Sequence, residues 1–346
     1  MFSTMSLLHP FATTSSEFAS GMEQRCQKGR LLALDVYQAF IRTGIIPRDI
    51  PSFRTAPALF DRMYQLTDIH VDPVVTTVDE EEALKFIMET RDGHLIESVI
   101  MSMQGRATLC ISSQIGCRMG CVFCRTGQKG FVRNLSCKEI VQQLFAALHI
   151  IGIPVHNVVF MGMGEPFDNY DAVMNAVNVV TDPLGFGIGM RRVTISTSGE
   201  IAGIMRLAAE EHRTPNLAIS LGAPTDEIRS SIMPRRRKEP LAALHEVMHT
   251  YCTRRQRQIL LSYVLLDGVN DSPQMADLLA NYVSDLDVRV NIIPYNTFPS
   301  SRFHASPPAS VAAFVNCLRA HHLPVFIRRS RGASIHAACG QLGGGR

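Results

Sequence analysis

The hydrophobic pattern of this chain changes character near residue 95. Between 22 and about 90, apolar residues recur at helical spacing, for example Leu31, Leu32, Leu34, Val36, Tyr37 and Phe40, up to a break at Pro47 and Pro51. The acidic run Asp79 to Glu82 then reads as the opening of another helix ending near Arg91. A loosely ordered lead-in rich in Ser, Thr and Phe occupies the first twenty or so residues, so 1–94 is expected to be a small, mostly helical accessory region. Beyond it, Leu95 to Met103 and Ala107 to Ser112 read as strands around the hairpin signal Gln104-Gly105-Arg106. Apolar strand-type runs at 157–162, 192–197, 216–221, 259–266, 288–295 and 325–329 follow. They alternate with helix-length stretches near 137–151, 169–181, 200–211, 240–253, 273–285 and 308–321, the first opened by a Ser136/Glu139 capping box. Repeated strand–helix units predict an α/β core over 95–346, with a parallel sheet curling into a full or partial TIM-like barrel.

Composition adds bounds. The 346 residues are 46% hydrophobic and 19% charged, a soluble globular balance with an ample core. A net charge of +3 does not demand a nucleic-acid partner. The sharper signal is four local basic clusters: Arg191-Arg192, Arg235 to Lys238, Arg254-Arg255 with Arg257, and Arg328-Arg329 with Arg331. They would make a phosphate-binding surface if they share one face. Nine cysteines without regular pairing do not read as a secreted disulfide framework. The N-terminus lacks a basic region followed by a long apolar core, and no stretch approaches the roughly 20 apolar residues of a membrane span, so a cytoplasmic protein is expected.

Candidate chemistry gathers at the ends of the expected strands, where the loops of such barrels carry their active sites. Cys117, Cys121 and Cys124 stand in G-C-R-M-G-C-V-F-C after strand 107–112. C-x3-C-x2-C supplies three thiolates, one short of a closed zinc site or an ordinary cubane cluster, which leaves one iron open to a small molecule. A zinc loop would want a second Cys or His pair, and Cys137, His149 and His156 offer none at suitable spacing. The spacing resembles that of radical S-adenosylmethionine (SAM) enzymes, in which the open iron of a 4Fe-4S cluster chelates SAM. Phe123 before the third cysteine fits that pattern, as does Gly162-Met163-Gly164-Glu165 after strand 157–162. Glycines there admit the SAM ammonium to backbone carbonyls, and the carboxylate adds a charge-assisted contact. Histidines 149, 156, 245, 249, 321 and 322 read as helix-face or loop residues.

Longer motifs sharpen the resemblance. L-C-I-S-S-Q-I-G-C-R-M-G-C-V-F-C, V-V-F-M-G-M-G-E-P, R-R-V-T-I-S-T-S-G, L-A-I-S-L, N-I-I-P-Y-N and A-C-G-Q-L occur in that order between about 95 and 342. Together they resemble the RlmN/Cfr family of radical SAM RNA adenosine methyltransferases, with wording closer to RlmN. The resemblance implies a partial (β/α)6 barrel and a reaction using two SAM molecules per turnover. One SAM would methylate Cys339; a second, cleaved at the cluster, would yield a radical that activates the S-methyl group for addition to adenine. Glu97 would act as general base, and Cys110 would resolve the protein–RNA link through a transient disulfide with Cys339. Gly164, Glu165, Ser196, Ser220 and Asn296 align with SAM contacts. The implied substrate is 23S ribosomal RNA, with transfer RNA as a further target, methylated at adenine carbon 2. The implied electron donor is a flavodoxin or ferredoxin.

Two departures stand out. Ser220-Leu221-Gly222-Ala223-Pro224 has glycine where the family usually has histidine, and Arg235 to Lys238 is more basic than usual. The competing readings are methylation at carbon 8, as in Cfr, a radical SAM enzyme with another substrate, and a zinc-bound RNA-binding module without catalysis.

Overall fold

A computed structural model describes residues 7–343 apart from 104, 235–238 and 329. Helices α1 (Ser15–Cys26), α2 (Arg30–Thr43), α3 (Pro51–Arg54) and α4 (Pro57–Gln65) form the N-terminal part. The lead-in is more ordered than its composition suggests. A Thr14/Glu17 capping box starts α1, and Phe11 and Phe18 are wholly buried. Phe11 and Phe40 both pack on Phe145, with ring centroids 4.8 and 5.2 Å away, which seats these helices on the core.

The expected helix at 79–91 is a β-hairpin. Strands β1 (Val74–Glu80) and β2 (Ala83–Glu89) pair antiparallel, and β2 pairs antiparallel with β3 (Leu95–Met103). The run's Glu, Ala, Lys and Met favour helix locally. Its apolar side chains, Phe86 and Met88 among them, are buried in the main core when it adds to the sheet, and that burial overrides the propensity.

From β3 the chain turns into β4 (Arg106–Cys110), and seven strands then run parallel: β4, β7 (Asn157–Phe160), β8 (Val193–Thr197), β9 (Asn216–Ser220), β10 (Ile259–Leu265), β11 (Val288–Pro294) and β12 (Val325–Ile327). The ten-stranded sheet has the order β1-β2-β3-β4-β7-β8-β9-β10-β11-β12, while β5 (Gln114–Gly116) and β6 (Phe131–Asn134) form a separate ladder. Crossovers are made by α6 (Cys137–Phe145), α7 (Tyr170–Thr181), α8 (Ile201–Ala209), α10 (Leu241–Arg255), α11 (Pro273–Tyr282) and α12 (Pro308–Ala320), with short α5 (Arg125–Gln128) and α9 (Asp226–Ile232) in loops. The Ser136/Glu139 capping box is present at α6. Strand interiors such as Leu109, Val158, Ile195, Leu217, Leu261 and Val290 are fully buried, as a sheet covered on both faces requires. The sheet stays open, but the tail after β12 returns to β2: Arg331 pairs with Glu82 at 2.7 Å and Lys85 donates to the His336 carbonyl at 3.4 Å. Among the described residues no helix is long and apolar enough to cross a membrane.

Among the described residues the basic clusters do not form one face. Arg191-Arg192 and Arg254 to Arg257 precede β8 and β10, at the rim opposite the cysteine loop. Arg255 and Arg257 donate to backbone carbonyls there, including those of His212 and Thr214. Arg235 to Lys238 and Arg329 lie outside the described residues, and Arg328 points inward.

Candidate active site

The C-terminal ends of the parallel strands surround a cavity of about 170 Å³. The β5–β6 ladder frames the loop that follows β4, and through it Cys117, Cys121 and Cys124 all reach the cavity wall. Gly164 and Glu165, beyond β7, line the same cavity, as do Ser196 on β8, Ser220 ending β9, and Asn296 just past β11. Cys339 joins them from the C-terminal tail. Cys110, the last residue of β4, lies in a smaller adjoining cavity of about 50 Å³ that shares Cys339, Asn296, Met161 and Arg328 with the first. Glu97 lines neither cavity. It is buried on β3, and its Oε2 has no hydrogen-bond partner among the described residues.

Local geometry explains the glycine of the strand-end motif. Gly164 has φ +107°, and a Cβ there would lie 2.6 Å from the Gln114 side chain. That close approach lets the Gln114 Oε1 accept from the Glu165 amide at 2.8 Å. Glu165 in turn accepts from the Ser198 amide at 2.7 Å and the Phe167 amide at 3.1 Å. Burial pushes its carboxyl up to about 7 despite those amides. Arg229, which the sequence did not single out, ties the rim together by donating to the carbonyls of Leu221, Glu239 and Ser198 at 2.9–3.1 Å.

The thiols are held as acids. Burial pushes Cys117 up to about 12 and raises Cys121 and Cys124, and the neighbouring cysteines add to the effect at Cys121. Three thiolates this close need cationic compensation, and that donor set fits a 4Fe-4S cluster. Cys110 is likewise raised to about 12 by burial and by nearby Cys339, against an opposing effect of Arg328. The disulfide implied by the resemblance is not formed: all nine cysteines are free, and Cys110 and Cys339 share a cavity as thiols.

Gly222 has φ +80°, and a Cβ there would meet the Met233 Sδ at 2.4 Å. A histidine side chain would need that space, so Met233, which also lines the larger cavity, stands where the family's usual residue would begin. Away from the site, His321 and Cys317 both contact Asp277 at 2.9 Å on α11 and α12, as an exposed hydrogen-bonded trio.

Residues 111–279 match the Radical SAM superfamily. A protein of Protochlamydia amoebophila, "Probable dual-specificity RNA methyltransferase RlmN 1", is 44% identical over 330 residues, covering 95% of this chain and 92% of its own. This chain belongs to the RlmN family of radical SAM RNA methyltransferases. A second RlmN, from Syntrophobacter fumaroxidans, is 36% identical and covers 94% of both chains. The crystal structure of a radical SAM methyltransferase from Sphaerobacter thermophilus superposes with a TM-score of 0.88 at 36% identity, covering 97% of this chain and 98% of that one. Membership of RlmN makes this chain a SAM-dependent methyltransferase, and with it a 4Fe-4S cluster and SAM are implied.

Sequence reading missed Met161 and Arg328, which line both cavities, and Arg229 at their rim. Methionine and a run of arginines carry no spacing signal of their own; only the curl of the sheet brings Arg328 against Met101 and Met161.

Proposed function

We propose that this enzyme methylates carbon 2 of an adenosine in 23S ribosomal RNA and in transfer RNA, through an S-methylcysteine at Cys339. The observation that carries the reading is the shared wall: Cys339 lines one cavity with the cysteine triad and another with Cys110. The relatives' description as dual-specificity RNA methyltransferases supports two classes of RNA substrate.

Cys117, Cys121 and Cys124 would hold the cluster, which when bound supplies the single electron for reductive cleavage of SAM. Gly164, Glu165, Ser196, Ser220 and Asn296 would hold SAM, with the Glu165 carboxylate against its ammonium group. An aromatic C–H carbon of adenine is no nucleophile, so a direct polar methyl transfer does not reach it. Carriage of the carbon on sulfur answers that problem. The Cys339 Sγ takes a methyl group from one SAM by displacement, and a second SAM is consumed in activating it, two per turnover. Glu97, with its unpartnered buried Oε2, removes the ring proton. The Cys110 thiolate then attacks the Cys339 sulfur, forming a transient disulfide and freeing the RNA. A flavodoxin or ferredoxin fits as electron donor. The target base must leave its stack to reach the strand-end cavity.

Replacing each thiol tests the reading. Cys339→Ala should give no methylated RNA, and Cys110→Ala should accumulate a covalent RNA–protein adduct on denaturing gels. Normal product from both variants would refute the two-cysteine route.

A further inference from the structure

Arg328 follows β12 and turns into the barrel, where Nη1 lies 3.7 Å from the Met161 sulfur and Nη2 3.5 Å from the Met101 sulfur. Those thioethers are its only side-chain partners among the described residues, and they are weak acceptors for a guanidinium. A cation held this way, with no carboxylate beside it, is arranged for an anion that arises during the reaction. The cavity it borders offers the anion. Cys110 and Cys339 line it; among the described residues Arg331 is the other charged residue in its wall, and no carboxylate lines it. Arg331 is already committed to Glu82 at 2.7 Å. Lys85, from β2, is turned to the carbonyl of His336.

We propose that Arg328 is the positioning residue for the resolving thiol, holding the Cys110 thiolate against the sulfur of Cys339 when the RNA is released. This rests on the two-cysteine reading above. In the step it serves, Cys110 Sγ forms the S–S bond while the bond from Cys339 Sγ to the RNA-borne methylene breaks. The bonding pair stays on carbon, and a proton completes the methyl group. The two sulfurs are oxidised by two electrons and the carbon is reduced by two, so a dithiol reductant must restore both thiols before the next turnover. Burial and nearby Cys339 push the Cys110 thiol up to about 12, and Arg328 is the charged group opposing that shift. The methionine thioethers suit the task because they hold the guanidinium without neutralising it.

The test uses the reconstituted holoenzyme with RNA, SAM, a one-electron donor and dithiothreitol, following adduct and free methylated RNA over time. Arg328→Met should release RNA about tenfold or more slowly near neutral pH, one unit of thiol pKa or more. The adduct should accumulate as in Cys110→Ala, and release should speed up as the pH is raised, because the thiolate fraction of the buried thiol grows with pH. Arg328→Lys should stay within a few-fold of the parent. Release from Arg328→Met at the parent rate and with the parent pH profile would overturn the proposal. So would prompt release with a raised KM for RNA, which would put the guanidinium on an RNA phosphate. Should Arg328→Met lose its cluster absorbance, Arg328→Lys against Arg328→Gln decides in the same assay, and equal release from the two overturns the proposal. Normal turnover by Cys110→Ala would instead bring down the two-cysteine reading itself, an outcome distinct from a failure confined to Arg328.

Discussion

The amide of Arg125, one residue past the third motif cysteine, donates to the carbonyl of Gly340, one residue past Cys339, at 2.8 Å. The tail bearing Cys339 is therefore fastened directly to the loop bearing the triad. Thr126 extends the seam through its hydroxyl to the Leu342 carbonyl, and Asn296 Nδ2 reaches the Cys339 carbonyl at 3.2 Å. Gln341, nearly fully buried, donates to the Thr297 carbonyl at 2.7 Å and accepts from the Ala338 amide at 3.1 Å.

Gln341→Ala should loosen that tail. It leaves a buried donor and acceptor unsatisfied, a cost of about 1–3 kcal/mol. Hydrogen exchange of residues 332–343 should speed up and methylated RNA should fall about tenfold, with cluster absorbance unchanged. Unaltered exchange would show the tail to be held by other contacts.

Single Cys117→Ala, Cys121→Ala or Cys124→Ala variants should each lose the broad absorbance near about 400 nm after anaerobic reconstitution, and with it SAM cleavage. A colourless parent protein carrying stoichiometric zinc would reject the cluster and favour the zinc-bound module.

SAM binding should depend on pH through Glu165. Its carboxyl, lifted to about 7 by burial, is largely protonated in the SAM-free enzyme below that pH, and the SAM ammonium favours the carboxylate. Affinity measured by calorimetry should therefore rise as pH increases through about 7, and Glu165→Gln should flatten the rise. The stability of the SAM-free protein has the opposite slope. A carboxyl whose folded value exceeds its unfolded one contributes most below the unfolded value, and that contribution is lost as pH rises through about 7.

Gly222→Ala should destabilise the protein by about 1–3 kcal/mol, since it combines a left-handed backbone with a clash on Met233. Met233→Ala in the same chain should remove part of the penalty, leaving the backbone term. Additive thermal shifts for the two changes would show that they are not coupled.

The parallel core was legible because each strand is a short buried run separated from the next by a helix-length stretch, the first of which carries its own start at Ser136 and Glu139. The hairpin at 74–89 was not legible. The residues of its second strand favour helix locally, and only pairing with β1 and β3 decides otherwise. The triad and the glycine motif could be read from spacing. Arg328 could not, because its run looks like a solvated basic face, and its inward turn depends on where β12 meets the curl of the sheet. Gly222 was visible as a departure, while its cause, the Met233 sulfur, is a tertiary contact.

The most direct measurement is mass spectrometry of nucleosides from RNA treated with the reconstituted enzyme and SAM deuterated in its methyl group. 2-Methyladenosine carrying two deuteriums is expected, the third having been removed from the S-methyl group of Cys339. A methyl group retaining all three deuteriums, or RNA left unmodified by an enzyme that still cleaves SAM, would contradict the S-methylcysteine route.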